Sequence, residues 1–103
     1  MKLKEKSEVK FMSVEAVINS ITEICKKHGA KSIILFGSRA TDHAIEKSDI
    51  DIAVQGGEVD FRSLNDEIER ICTLFSFNIV DMSKSSPALR KDIESHGKSL
   101  YKA

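Results

Sequence analysis

The sequence has no excess of either charge. Its 103 residues carry 16 Lys+Arg against 16 Asp+Glu, a formal net charge of zero. A protein whose main task is to grip nucleic acid usually needs a basic excess, so direct nucleic-acid binding is not expected. A small anionic ligand held by one local site remains compatible. Cysteine is scarce, with Cys25 and Cys72 the only two. Each falls on the apolar stripe of a predicted helix and reads as a buried free thiol. Neither a disulfide framework nor a Cys/His zinc site is suggested. No apolar run approaches the ~18 residues of a membrane span, and no signal-peptide pattern is present. A reducing, cytoplasmic setting is therefore expected. Internal repeats, low-complexity segments and linkers are also missing.

What is present suffices for one small fold. Apolar residues make up 41% and charged residues 31%, a balance that folds and stays soluble. The length fits one domain with a modest core and no second lobe. We divide the chain into a flexible charged N-terminus, 1–12, and a single domain, 13–103. Ser13 is a good N-cap, with Met12 and Val17 placed as a hydrophobic staple. Val14, Val17, Ile18, Ile21, Ile24 and Cys25 recur at helical spacing, and Gly29 stops the helix after His28. The isoleucine-rich run Ser32–Phe36 suits a strand covered on both faces. Arg39–Ile45 fits one or two helical turns with Ser38 as N-cap. Asp49–Val54 reads as a second strand ending at Gly56-Gly57. Phe61, Leu64, Ile68, Ile71, Cys72 and Phe75 mark a second long helix capped by Asp60. Phe77–Met82 reads as a third strand. Ser86-Pro87 starts a helix with the chain's only proline at its first position, and Gly97 stops it. Leu100 and Tyr101 add a last strand or simply pack down. Such alternation implies an α/β sheet with helices packed on it, and all the long helices can lie on one face, leaving the other open as a site.

Two short features carry chemistry. Side chains alternate across a strand, so Asp49 and Asp51 share one face, with Cβ atoms roughly 7 Å apart. Two carboxylates so placed repel unless a cation sits between them, and Mg²⁺ commonly takes one or two carboxylates plus substrate phosphates. The plainer reading is an exposed strand face that carries two acids. An EF-hand loop does not fit, because residues 53–55 supply neither its next ligand nor its glycine. The second feature is Gly37-Ser38, between an apolar strand and a candidate helix. Glycine lets backbone approach a ligand closely, and amides at a helix start favour phosphate. Ser38 caps the helix or donates to a phosphate oxygen, and Arg39 or Lys47 adds charge. The plainer reading is an ordinary strand-to-helix turn. His28 and His96 each precede a glycine at a helix end and read as caps; His43 reads as solvated.

Together the two features form a constellation. A strand, Gly-Ser, ten residues, then Asp-x-Asp on a second strand resembles the nucleotidyltransferase fold of the DNA polymerase beta superfamily. The nearest likeness is to the minimal nucleotidyltransferases (MNT) paired with HEPN-domain toxins. Arg39-Ala40, Ser48 and the closing Ser86-Pro87-Ala88-Leu89-Arg90…Ile93…Gly97…Leu100-Tyr101 suit the same pattern. The resemblance implies an α/β fold with a small mixed sheet and helices mainly on one face. It implies a catalytic, metal-binding pair, Asp49 and Asp51, and a nucleotide-binding turn, Gly37, Ser38 and Arg39. It also implies Mg²⁺ as cofactor, ATP or another nucleoside triphosphate as substrate, and transfer of AMP to a hydroxyl. The implied acceptor is a HEPN partner protein, in a homo- or hetero-oligomer.

One departure stands out. The family places a third carboxylate on its third strand, in a Val-Asp-Leu-Val-Asp-Leu-like run. Aligned with Phe77-Asn78-Ile79-Val80-Asp81-Met82, that carboxylate falls on Asn78. Alternation turns Asn78 toward Asp49 and Asp51 and turns Asp81 away; only a register slip or a bulge brings Asp81 in. An amide can ligate a metal through oxygen but cannot act as a base. Two readings follow: an adenylyl-transferring antitoxin, or a weakly active or inactive antitoxin that neutralises its partner by contact. Chance coincidence of the two motifs in a generic α/β domain is the third.

Overall fold

Apolar periodicity sets the elements, and hydrogen-bonding side chains set their ends. The computed structural model describes residues 13–41, 49–71 and 75–103. Helix α1 spans Val14–Lys27, and the Ser13 hydroxyl accepts from the Ala16 amide at 3.1 Å. Strand β1, Ser32–Phe36, follows and leads into a one-turn 3-10 helix, Gly37–Arg39. Strand β2 is Ile50–Gln55. Helix α2 is Phe61–Glu69, with the Asp60 carboxylate accepting from the amides of Arg62 and Ser63 at 3.1 and 3.3 Å. Strand β3, Phe77–Asp81, precedes a second 3-10 turn, Met82–Lys84. Helix α3, Pro87–His96, is capped by the Ser86 hydroxyl, which accepts from the Leu89 amide at 3.2 Å. Strand β4, Lys98–Lys102, ends the chain's regular structure.

The strands form one mixed sheet in the order β3-β2-β1-β4. β1 runs antiparallel to both β2 and β4, while β2 and β3 are parallel. Leu100-Tyr101 thus belongs to a true edge strand. Val17, Ile18, Ile21 and Cys25 of α1, with Leu64 and Ile68 of α2, bury Ile33, Leu35, Ile50, Ile52 and Val54 on one face. Burial pushes the Cys25 thiol up to about 12, as expected for an inert core residue. On the opposite face Ile93 and Met82 close over Ala53, flanked by Ile34, Phe36 and Leu89. The helices therefore do not all lie on one face. The two packed by apolar stripes take one side, and α3 covers part of the other.

Several boundaries differ from the sequence reading. α2 stops at Glu69 instead of continuing to Phe75. The amides of Arg70 and Ile71 bond to Glu67 O and Ile68 O at 3.2 and 3.0 Å, a three-residue spacing that tightens the last turn. Phe75 packs on the core as a residue leading into β3; an apolar residue at helical spacing is buried in either conformation. β3 ends at Asp81, because Met82 opens the second 3-10 turn, where it is buried. The turn after β1 is a 3-10 helix of three residues in which Phe36 holds the cap position and Ser38 lies inside it, so Ser38 is not an N-cap. The N-terminus 1–12 with its Met12 staple, the rest of the expected turn through Ile45, His43, Lys47, Ser48 and Cys72 lie outside the described residues. Among the described residues, no helix is long and apolar enough to cross a membrane.

Candidate active site

The alternation of β2 creates the site. Ile50, Ile52 and Val54 are buried under α1 and α2, so Asp51 and Ala53 point to the other face. Ala53 is covered by α3, whereas Asp51 is half-buried and Asp49 exposed. Asp51 therefore lies just outside the apolar patch that α3 makes.

Strand register brings the remaining groups to it. In the β1–β2 ladder Phe36 pairs with Asp51, which places the turn after Phe36 beside that carboxylate. Gly37 adopts φ +75°, in the left-handed region. A Cβ there would lie 2.4 Å from Asp51 Oδ2. Both the backbone angle and the close approach thus require glycine. The Thr41 hydroxyl reaches back to Ser38 O at 3.4 Å. The sequence reading passed over this threonine, although a Thr three residues past a turn can bond to the turn's carbonyls.

In the β2–β3 ladder Asp51 pairs with Asn78, and Ile50 N donates to Ser76 O at 2.9 Å just before it. The Asn78 amide Nδ2 donates to Asp51 Oδ1 at 3.0 Å and to Asp49 Oδ2 at 3.3 Å. The three side chains thus meet on one exposed patch, as alternation predicted. Asp81 does not join them. It pairs with Val54 in the ladder, and its Oδ1 accepts from the amide and hydroxyl of Ser83 at 3.0 and 2.6 Å. No bulge interrupts the pairing from Phe77 to Asp81, so the Asn78 register stands.

The pair can accept a cation. Two carboxylate oxygens from different side chains converge on one nitrogen, so a point between them has the oxygen environment that hard divalent ions take. Among the described residues, no group of three His, Cys, Asp or Glu could hold a metal, so the described groups offer an ion here two carboxylates and an amide. Arg39 is half-buried, with its guanidinium 5.6 Å from the centroid of the Phe75 ring. It also lines a groove of about 500 Å³ with Val14, Ile18, Leu35, Lys98 and Leu100. That groove includes neither aspartate and was not foreseen from the sequence. The described histidines lie elsewhere: His28 Nε2 is 3.0 Å from Glu67 Oε1, and His96 Nδ1 is 3.2 Å from Asp92 Oδ1.

Comparison with known proteins places this geometry in context. Residues 19–103 match the family model described as "Polymerase beta, Nucleotidyltransferase". A Methanocaldococcus jannaschii protein assigned as a protein adenylyltransferase is 38% identical over 64 residues, covering 58% of this chain and 69% of that protein. Among solved structures, one assigned as a minimal nucleotidyltransferase superposes with a TM-score of 0.71 at 27% identity, covering 87% of this chain and 98% of that one. A chain of a toxin–antitoxin complex crystallised with AMP-PNP gives 0.70 at 25% identity, over 82% of this chain and 73% of that one. A chain of the tri-AMPylated Shewanella oneidensis HEPN toxin bound to its MNT antitoxin gives 0.66 at 22% identity, over 86% and 72%, a likeness of fold.

Proposed function

The chain belongs to the polymerase beta nucleotidyltransferase family, as a nucleotidyltransferase-type domain related to the MNT antitoxins, and we propose that it transfers AMP from ATP to a hydroxyl of a HEPN-domain partner protein in the cytoplasm. The observation that carries this reading is the register Phe36↔Asp51, which sets the Gly37-Ser38 turn against a carboxylate of the Asp-x-Asp pair. Phosphates need donors and a cation at one place, and this pairing sets the turn's amides beside a carboxylate that would hold a cation.

In this reading Gly37 and Ser38 seat the β- and γ-phosphates through backbone amides and the serine hydroxyl, and Arg39 adds positive charge. The first amides of a helical turn have no acceptor within it, and so are suited to phosphate oxygens. Asp49 and Asp51 hold Mg²⁺. When bound, that ion neutralises charge on the phosphates and favours departure of pyrophosphate. The acceptor hydroxyl oxygen forms a bond to the α-phosphorus, the bond from that phosphorus to the bridging oxygen breaks, and pyrophosphate leaves. The hydroxyl proton goes to solvent or to a base on the partner, because Asn78 cannot take it. An acceptor carried by a second protein suits a site that lies open at the sheet surface.

The test uses ATP labelled at the α-phosphate, Mg²⁺ and a purified HEPN-domain partner. Label should appear on the partner and fall about 10²–10³-fold with Asp51→Ala, the scale of losing one electrostatic anchor. Undiminished labelling by the variant would refute the assignment. One observation favours a second reading, in which the domain neutralises its partner by contact alone: an amide stands where the resemblance implies a third carboxylate, and among the described residues no other carboxylate comes to the patch. Tight complex formation with no label under any condition selects that reading.

A further inference from the structure

Asp49 and Asp51 lie on one strand face with no charged partner among the described residues; every described ion pair lies elsewhere. Like charges so placed push apart, more strongly at low salt. What they share is a single donor. One nitrogen of Asn78 donates to both, at 3.0 and 3.3 Å. Asn78 sits opposite Asp51 in a regular parallel ladder, so its position is set by backbone pairing rather than by the carboxylates. The donor thus occupies the point that a cation bound by both carboxylates would take.

We infer that Asn78 is a positioning residue that holds Asp49 and Asp51 together in the cation-free protein and limits the site to one divalent cation. The amide group and a cation cannot occupy the same point. Cation binding therefore requires the NH₂ group to leave, and rotation about the last side-chain bond brings Oδ1 forward in its place. One amide oxygen and two carboxylates then face a single ion. A second ion needs a further carboxylate, and among the described residues none joins the pair: Asp81 is committed to Ser83 on the opposite strand face. The limit to one cation rests on the functional reading above; the tether stands on the hydrogen bonds alone.

The test compares the wild-type chain with Asn78→Asp and Asn78→Ala. Thermal melts in EDTA at low salt should drop by about 3–5 °C for Asn78→Ala and further for Asn78→Asp, and the extra drop should shrink at 0.5 M salt. Paramagnetic resonance of free Mn²⁺, titrated in the presence of α,β-methylene ATP and corrected with Asp51→Asn, should count one bound ion in the wild type and two in Asn78→Asp. The tether is overturned by an Asn78→Ala melt that matches the wild type in EDTA. The single-ion limit is overturned by two ions, or none, in the wild type. Adenylyl transfer is assayed separately. Its absence with one Mn²⁺ bound would sink the transferase reading and leave this inference in place.

Discussion

The two faces of β2 show how one strand can serve two unlike purposes. Ile50, Ile52 and Val54 are fully buried beneath α1 and α2. Asp51, between them, faces a patch open to solvent with the exposed Asp49 and Asn78. The buried face holds the strand in register, and the register holds the site. Alternation keeps the two nearly independent: a change on one face should alter stability, and a change on the other should alter chemistry.

Four variants press on that division, in descending order of effect. Ile52→Ala removes a fully buried side chain from the helix-covered face and should cost about 2–5 kcal/mol, measured by urea unfolding. Transfer per folded molecule should stay close to wild type at a temperature where the variant is folded. Asp51→Ala should do the reverse. The labelling loss of about 10²–10³-fold corresponds to roughly 3–4 kcal/mol of transition-state stabilisation. Stability should change by under about 1 kcal/mol, because losing the hydrogen bond from Asn78 is offset by relief of the repulsion from Asp49. Gly37→Ala joins the two faces, because a methyl group there meets Asp51 Oδ2 in a backbone region unfavourable to alanine. We expect about 1–3 kcal/mol of destabilisation together with loss of labelling. If Gly37→Ala transfers normally, the turn does not need its contact with the carboxylate.

The smallest effect lies far from the site, where Lys27 and His28 at the end of α1 hold Glu67 of α2. The hydrogen bond from Lys27, then that from His28, keeps the Glu67 carboxyl below its ordinary value of 4.5. A carboxyl with a depressed folded-state value adds stability that is fully present above the unfolded value and is lost as pH falls through the folded one. Melts of the wild type and Glu67→Gln should therefore differ slightly at pH 7 and converge as pH falls below the ordinary carboxyl range and through the lowered folded-state value. Transfer at pH 7 should be unchanged. A gap that widens toward acid would show that the contact acts otherwise.

Much of the fold was legible because its signals are local. Ser13, Asp60 and Ser86 cap the helices they were expected to cap, and Ser32–Phe36 is a strand with the predicted limits. The misread end of α2 has a physical origin. Ile71 and Phe75 continue the apolar spacing, yet a partly buried residue is needed there whether the chain is helical or extended, so periodicity cannot tell them apart. The cap role given to Ser38 failed for a related reason. Gly-Ser announces a turn, but whether that turn is α or 3-10 depends on residues further along the chain.

Which residues share a face is written in the chain's own alternation. Period-two alternation puts Asp49 and Asp51 together and sets Asn78 apart from Asp81, and no tertiary contact is needed to infer either. Which residues meet across strands depends on how distant segments pair. Phe36 opposite Asp51 brings Gly37 against a carboxylate, and Asp51 opposite Asn78 gives two acids one shared donor. Alternation fixes the face, whereas register is chosen by backbone hydrogen bonds between segments distant in the chain, under the demand that Ile50, Ile52 and Val54 be buried. The core therefore selected the register, and the register assembled the site.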